Sequence, residues 1–154
     1  MITLPFEAIT NSPEETETLG RHLSELIISD DTMPRFVAMY GDLGVGKTAF
    51  VRGFCSALCP TSTVKSPTFA LVNEYRCLTN GQDLKKVCHF DMYRIIDEDD
   101  LYSIGFYDYL RDTNLCIAEW CELIPYALPD EYIKVDIKKL GTGNERKIIV
   151  TNIS

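Results

Sequence analysis

The sequence has no apolar run long enough to cross a membrane, because its longest hydrophobic stretches are only a handful of residues. Its start, MITLPFEAITNSPEE, has neither the basic residues nor the apolar block of a signal peptide. We therefore expect a cytosolic protein that contacts no membrane. Disorder is also excluded, because 45% of the residues are hydrophobic and 25% are charged.

Positive charge is scarce as well. Fifteen Lys and Arg residues stand against 23 Asp and Glu residues, and the net charge is −8. A protein that binds nucleic acid by itself usually has a basic face that displaces counterions from the phosphates. This sequence has only short basic pairs, such as Lys85–Lys86 and Lys138–Lys139. If RNA is involved, we expect another subunit to hold it.

Cysteine is plentiful, but the spacing typical of metal sites is missing. The six cysteines form C-x3-C and C-x4-C spacings without a C-x2-C pair, and the chain has only two histidines. Zinc sites usually use closely spaced Cys and His pairs. Most of the cysteines lie in apolar segments such as FCSAL and NLCIAEW. We therefore expect buried free thiols in a reducing compartment.

The predicted elements alternate between strands and helices, which is typical of a single α/β domain, here residues 1–154. Ser12, Pro13 and Glu15 predict a helix start with a side-chain cap. The expected fold is P-loop NTPase-like, with a mainly parallel central sheet, flanking helices and a C-terminal β-hairpin. The predicted strands cover 2–9, 35–40, 69–75, 86–91, 114–120, 132–140 and 146–153, with a turn at 79–82; the helices cover 13–29, 47–58 and 97–110, the last interrupted at Gly105.

The segment GDLGVGKT, residues 41–48, fits the phosphate-loop pattern G-x-x-x-x-G-K-[ST] between a predicted strand and a predicted helix. Backbone N–H groups converge on a phosphate only where no Cβ obstructs them, which explains Gly41, Gly44 and Gly46. The following helix start presents further N–H groups to the same anion. Lys47 can reach the β- and γ-phosphates, and Thr48 offers its hydroxyl to Mg2+. The pattern predicts a nucleoside triphosphate site.

Two predicted strands end in an acid, VCHFD at Asp91 and LCIAE at Glu119. Ligands of open α/β sheets bind at the carboxyl edge of the strands, which is also where the phosphate loop lies. Either carboxylate can approach Mg2+, directly or through water, while the other orients the attacking water. Two ordinary strand-end acids that cap the next loop also fit the pattern, and the residues alone leave the assignment open.

The segment SPTF, residues 66–69, follows the phosphate-loop helix after a short loop. In nucleotide switches a Ser or Thr at this place can sense the γ-phosphate and its ion, and Thr68 is the candidate here. A turn that leads into the next strand fits the same residues.

Together the segments GDLGVGKT, FVRGF, VKSPTFALVNEY, HFDMYR, IGFYDYL and IAEW resemble the TsaE (YjeE) family in order and spacing. The resemblance covers about residues 10 to 150. The family comprises bacterial P-loop ATPases that are needed to make N6-threonylcarbamoyladenosine in tRNA. It implies that this protein uses ATP and Mg2+, hydrolyses ATP weakly alone, and gains activity when docked on TsaD and TsaB. TsaD modifies the adenosine next to the anticodon, so tRNA is met only through the partners.

The resemblance also implies residue roles. Thr48 and Glu119 are expected to bind Mg2+, Asp91 occupies the second-strand carboxylate position and is a further candidate ligand, and Thr68 belongs to a mobile switch. Asn11 or Thr16, with Arg146, is expected near the base. The nucleotide-binding candidates are Gly41, Asp42, Gly44, Val45, Gly46, Lys47, Thr48, Ala49, Asn11, Thr16, Trp120 and Arg146, and the catalytic candidates are Lys47, Thr68, Asp91 and Glu119.

The sequence departs from the family pattern at two positions. Val45 stands where the family usually has Ala, and Cys121 follows the tryptophan where Pro or Ser is frequent. A residue of the loop contributes mainly its backbone N–H, so we expect Val45 to leave phosphate binding intact.

Three other functions remain as alternatives. A small-molecule kinase with a P-loop could recruit Arg94 or Arg111 to a lid. A GTPase normally has an N-K-x-D stretch for guanine, and this sequence has none. A non-catalytic, nucleotide-sensing partner protein would carry the same phosphate loop.

Overall fold

The strands form one seven-stranded sheet in the computed structural model, which describes residues 2–42, 44–60, 62–65, 67, 71–77, 86–111 and 115–154. In chain order they are β1 (Phe6–Thr10), β2 (Phe36–Tyr40), β3 (Val72–Arg76), β4 (Lys86–Asp91), β5 (Leu115–Glu119), β6 (Tyr132–Lys139) and β7 (Arg146–Ile153). The helices are α1 (Pro13–Ser29), α2 (Lys47–Ser56), α3 (Glu98–Ser103) and α4 (Phe106–Arg111), and a short 3-10 turn spans Cys121–Leu123.

The sheet is mixed, with the order β1-β7-β6-β2-β5-β4-β3. Its four central strands β6, β2, β5 and β4 are parallel, while β1, β7 and β3 pair in the antiparallel direction. The parallel centre and the C-terminal hairpin β6–β7 confirm the predicted α/β architecture. The short connection between β6 and β7 forms a hairpin, whereas β1 pairs with β7 from the opposite end of the chain.

Local sequence signals set most element boundaries. The Ser12 hydroxyl accepts a hydrogen bond from the Glu15 N–H, and α1 then runs to Ser29 as predicted. Gly105, at φ +74°, separates α3 from α4. The first strand begins later than predicted, at Phe6, because the preceding Pro5 has no N–H to give to a ladder. The predicted turn at 79–82 lies outside the described residues.

Each face of the sheet is covered by its own pair of helices. In β2, Val37 and Met39 are buried with residues of α1 and α2, and Phe36 and Ala38 are buried with residues of α3 and α4. Side chains that alternate between two apolar layers are typical of a strand buried on both faces. Within the described residues no helix is both long and apolar enough to span a membrane. The six cysteines are free; five are buried, and Cys77 is partly exposed.

Helices α1 and α2 approach each other closely at two glycines. A Cβ at Gly53 would lie 1.8 Å from the Glu17 carbonyl oxygen, and one at Gly20 would lie 2.2 Å from the Phe50 carbonyl oxygen. A 2.7 Å ion pair between Arg52 and Glu17 adds to this contact. The packing fixes α2, and therefore the loop in front of it, on the sheet.

Candidate functional site

The loop between β2 and α2 has the backbone shape that its glycines predict. Gly41, Gly44 and Gly46 have φ values of +146°, +77° and +108°, a region that side chains rarely adopt. A Cβ at Gly41 would also lie 2.6 Å from the Ile137 carbonyl oxygen. Gly46 is the cap residue of α2, so the loop ends at a helix start, where N–H groups favour an anion. Leu43 lies outside the described residues.

Lys47, the first residue of α2, points back over the loop. Its Nζ donates a 2.6 Å hydrogen bond to the Gly41 carbonyl oxygen and lies 3.7 Å from the centre of the Trp120 ring. Burial lowers the pKa of this ammonium group, while the nearby carboxylates of Glu119, Glu122, Asp91 and Asp42 act in the opposite direction. The lysine is therefore a desolvated cation held among acids.

The two predicted carboxylates lie side by side. Asp91 and Glu119 end the parallel strands β4 and β5 as register partners, so both point to the sheet face that carries α2. Glu119 is buried, and Asp91 is half-buried. Burial raises the pKa of Asp91, and the charge of Glu119 raises it further. Two adjacent, poorly solvated acids are a favourable environment for a cation.

A cavity of about 290 Å³ brings together most of the predicted phosphate and metal residues. Its lining consists of Gly44, Gly46, Lys47, Thr48, Asp91, Glu119 and Trp120. A magnesium-bound phosphate requires such groups around a glycine loop: a lysine, a hydroxyl and carboxylates. Their catalytic roles stay predictions.

Trp120 adopts a backbone conformation that is uncommon for a bulky residue. Its φ of +62° lies in the left-handed region, directly after the last residue of β5. This turn leads the chain into the 3-10 segment and leaves the indole ring beside Lys47, with the Tyr93 ring at 5.0 Å on the outside. Strained backbone of this kind often marks functional sites.

A second cavity, of about 160 Å³, shares Gly44 and Gly46 with the first. Arg146 borders it and donates from Nε to the Val45 carbonyl oxygen at 2.8 Å. Thr16 is buried there, with its hydroxyl 2.8 Å from the Thr10 hydroxyl. The lining comprises Ser12, Pro13, Thr16, Gly44, Val45, Gly46, Ala49, Asn144 and Arg146.

Three predicted nucleotide-binding residues, Gly41, Asp42 and Asn11, line neither of these cavities. The backbone N–H of Asn11 donates to the Glu15 carboxylate. Of the pair Asn11 and Thr16, the structure thus brings only Thr16 to the site. Asp42 is exposed and borders a larger, mixed-charge cavity of about 640 Å³ toward β6, to which we assign no role. Thr68 lies outside the described residues.

Two further side chains at the site were not predicted from the sequence. His89 is buried, and its Nε2 lies 2.5 Å from Glu119 Oε2. Its position two residues before Asp91 on the same strand was a signal that it shares the face of the site. Glu122 accepts a 3.2 Å hydrogen bond from the Gly41 N–H. Those partners are 81 positions apart in the sequence, so no local pattern signals that contact.

The oxygen ligands at the site fit Mg2+ that is bound together with phosphate and water. Within the described part of the chain they do not form a site in which protein side chains alone coordinate the metal. Among the described residues, no group of three or more His, Cys, Asp and Glu side chains could hold a metal ion. Mg2+ is usually bound by one or two carboxylates together with phosphate oxygens and water. The Thr48 hydroxyl and the carboxylates of Asp91 and Glu119 supply oxygen ligands of this kind.

A family model and individual known proteins match most of this chain. A family model described as "Threonylcarbamoyl adenosine biosynthesis protein TsaE" matches residues 10–148. The chain belongs to the TsaE family. It is 33% identical to a Bacillus subtilis protein named "tRNA threonylcarbamoyladenosine biosynthesis protein TsaE", over 94% of this chain and 84% of that protein. A Haemophilus influenzae protein of the same name is 35% identical, over 92% of this chain and 89% of its own.

The fold of this TsaE-family chain is also shared with a solved structure. The crystal structure of Bacillus subtilis YdiB matches with a TM-score of 0.74 and 28% identity, over 100% of this chain and 89% of that one. The family role, and the role of this chain, is in tRNA threonylcarbamoyladenosine biosynthesis.

Proposed function

We propose that this protein binds ATP with Mg2+ and hydrolyses it, and that this reaction supports TsaD and TsaB during N6-threonylcarbamoyl modification of tRNA. The observation that carries the proposal is the convergence of Lys47, Thr48, Asp91 and Glu119 on one cavity at the start of α2. A P-loop lysine, a hydroxyl and strand-end carboxylates are the groups that phosphoryl transfer to water needs.

Each group has a task that follows from its position. The N–H groups of the loop hold the β- and γ-phosphates, and Lys47 leaves the Gly41 carbonyl oxygen to neutralise them. Mg2+, when bound by Thr48 and one carboxylate, would neutralise the negative charge of the phosphate oxygens. The other carboxylate accepts a hydrogen bond from the attacking water and fixes its line of approach. The water oxygen then bonds to the γ-phosphorus while the bond from that phosphorus to the bridging oxygen breaks. ADP leaves with the bridging oxygen and its electron pair, and the proton of the water passes to the released phosphate.

The second cavity is our proposed site for the adenosine. It meets the phosphate cavity at Gly44 and Gly46, so one nucleotide can extend across the loop. Thr16 and Arg146 supply polar groups to its lining. The proposed partners are TsaD and TsaB, with tRNA reached through them, because a protein with a net charge of −8 is poorly suited to bind RNA by itself.

The decisive experiment measures free phosphate released from ATP and Mg2+ by the purified protein, with and without TsaD–TsaB. We expect slow release alone, faster release with the partners, and loss of both in Lys47→Ala. The matched control is Lys138→Ala, which removes a lysine that lies outside the two proposed nucleotide cavities. A small-molecule kinase would instead form a phosphorylated product. A nucleotide sensor would bind ATP without releasing phosphate.

The place of hydrolysis in the tRNA reaction can be tested separately. We propose that binding and hydrolysis of ATP reset TsaD–TsaB between turnovers. A multiple-turnover modification assay with Lys47→Ala should then stop after about one round per complex. Full-rate turnover with that variant would refute the reset role while leaving ATP hydrolysis itself intact.

A further inference from the structure

A buried chain of polar contacts begins at the Glu119 carboxylate. Oε2 of Glu119 lies 2.5 Å from Nε2 of His89, and both side chains are almost fully buried between β4, β5 and α2. His89 is on the strand next to Glu119, two residues before Asp91. A carboxylate in such a place needs a hydrogen-bond donor, because an unpaired buried charge is strongly penalised. His89 supplies that donor from behind the cavity.

The chain continues from His89 to β3. The Tyr75 hydroxyl lies 3.3 Å from Nδ1 of His89, and their rings are 6.1 Å apart. A hydroxyl has a single proton, so Tyr75 either donates it to an unprotonated Nδ1 or accepts from Nδ1–H while donating to another partner. With one ring nitrogen on a carboxylate and the other on a hydroxyl, the imidazole has a fixed orientation.

Tyr75 in turn fixes a segment that follows α2. Its hydroxyl accepts from the Lys65 N–H at 3.3 Å and lies 3.1 Å from the Lys65 carbonyl oxygen, to which it donates when His89 Nδ1 does not take its proton. The Asn73 amide also donates to the Lys65 carbonyl oxygen, at 2.9 Å. Up to three hydrogen bonds thus join Lys65 to side chains of β3. A displacement of this backbone would be transmitted through two side chains to Glu119.

We propose that His89 is a positioning residue that holds Glu119 in its cavity-facing conformation, and that Tyr75 links this conformation to the backbone at Lys65. The inference rests on the proposed ATPase function. None of these groups touches the nucleotide cavity except Glu119. A buried histidine that only satisfies the core would contribute to folding but would leave turnover per folded molecule unchanged.

The test compares three variants with one control. His89→Leu removes the donor at similar size, His89→Gln keeps an N–H donor, and Tyr75→Phe removes only a hydroxyl. Tyr109→Phe is the matched control, because it removes a tyrosine hydroxyl from the opposite face of the sheet. Three quantities are measured on folded protein: phosphate release in the presence of TsaD–TsaB, the Mg2+ concentration that gives half of the nucleotide-dependent change in tryptophan fluorescence, and the affinity for ADP without metal by calorimetry.

Loss of an outer partner of a metal-site ligand typically costs 10–100-fold in metal affinity or activity. We expect His89→Leu to reduce turnover by about 10–100-fold and to need a higher Mg2+ concentration for half of the fluorescence change. Its affinity for ADP without metal should stay unchanged. His89→Gln should recover part of the loss. Tyr75→Phe should fall between wild type and His89→Leu, and Tyr109→Phe should equal wild type.

Each other outcome contradicts the inference. Wild-type turnover and Mg2+ midpoint in His89→Leu would overturn the positioning role but leave the ATPase proposal standing. If His89→Leu does not fold, the comparison of Tyr75→Phe with Tyr109→Phe tests the inference. Equal turnover and equal Mg2+ midpoints in those two variants would overturn both the link to Lys65 and the positioning role. A wild-type protein that neither binds nor hydrolyses ATP would remove both proposals.

Discussion

The ammonium group of Lys47 lies over the indole ring of Trp120, 3.7 Å from the ring centre. A cation placed over tryptophan gains about 0.5–2 kcal/mol, depending on how desolvated it is. The same group donates to the Gly41 carbonyl oxygen. Phosphate oxygens in the adjoining cavity would compete with both contacts for the ammonium. Nucleotide binding and release of the Trp120 ring are therefore expected to be coupled.

This coupling predicts an optical signal, because Trp120 is the single tryptophan of the chain. Titration of ATP with Mg2+ should change its fluorescence along a saturable curve that matches the binding curve from calorimetry. Lys47→Ala should change the starting emission and flatten the response. Lys134→Ala, which removes a lysine lying over the Tyr40 ring, is the control and should respond like wild type. Heat of binding without any fluorescence change would contradict the coupling.

Glu119 should matter to turnover more than to binding. Loss of one well-placed electrostatic contact typically costs about 10²–10³ in rate. We expect a loss of that size in phosphate release for Glu119→Gln, which keeps the size and the hydrogen-bonding capacity toward His89. Calorimetry should show nucleotide affinity within a few-fold of wild type. Glu131→Gln, an exposed change, is the control, and an equal rate for Glu119→Gln would remove Glu119 from the mechanism.

The contact between α1 and α2 predicts a stability effect at Gly53. A Cβ there would overlap the Glu17 backbone, with 1.8 Å to the carbonyl oxygen, so the helices would have to separate. Overpacking typically costs about 1–3 kcal/mol, and backbone shifts raise that cost. We expect Gly53→Ala to lower the free energy of unfolding by about 2 kcal/mol or more in urea denaturation. Gly143→Ala, where a Cβ meets nothing within 4 Å, should be close to neutral.

Local signals explain why much of this site could be predicted from sequence. The glycine pattern specifies the loop, Ser12 caps α1 through a residue three positions away, and Asp91 and Glu119 each end an apolar run. These features depend on neighbours in the chain, which a pattern records directly. The parallel α/β centre follows from the alternation of strands and helices.

The remainder depends on pairing between distant residues. Arg146 contacts Val45 across 101 positions, and His89 contacts Glu119 across 30. Such contacts follow from the strand order, which no local spacing contains. A buried histidine in an apolar strand has the same local appearance whether its partner is a carboxylate or the core. For this reason the sequence predicted the acids at the site but not the residue behind them.

Arg146 should contribute to nucleotide affinity through the loop. Its guanidinium donates to the carbonyl oxygens of Val45, Gly143 and Glu145 and borders the proposed adenosine cavity. A hydrogen bond from a charged group is worth about 1.5–3 kcal/mol, or roughly 10–100-fold. Calorimetry should therefore show ATP affinity reduced about 10-fold or more in Arg146→Ala. Arg146→Lys should not restore it, because an ammonium cannot reproduce the planar fork.

The control for Arg146 is its neighbour Lys147. That residue points to the opposite sheet face and pairs with Glu7 at 3.1 Å. Lys147→Ala should bind ATP like wild type. Equal affinities for the wild type and Arg146→Ala would place the adenosine elsewhere.

Replacement of the Asp91 carboxylate should raise the free energy of unfolding at neutral pH and lower ATP turnover. Burial raises its pKa above the ordinary 3.8, so the folded protein holds the Asp91 proton more tightly than the unfolded chain does. The contribution of Asp91 to the free energy of unfolding is therefore full below the unfolded pKa and is lost as pH rises through the folded pKa. Asp91→Asn removes the charge and can still accept the Tyr93 N–H. At pH 7 the variant should be more stable than wild type.

Urea unfolding at several pH values checks this expectation. The excess stability of Asp91→Asn should shrink as pH falls toward 4, where the wild-type carboxyl takes up its proton. The same variant should lose about 10²-fold in ATP turnover, because a charge at the proposed magnesium site is gone. Asp108→Asn, an exposed change on α4, should affect neither quantity. If the variant were less stable than wild type at pH 7, the surroundings would have to stabilise the charged form of Asp91. The burial of Asp91 and the adjacent Glu119 charge argue against that result.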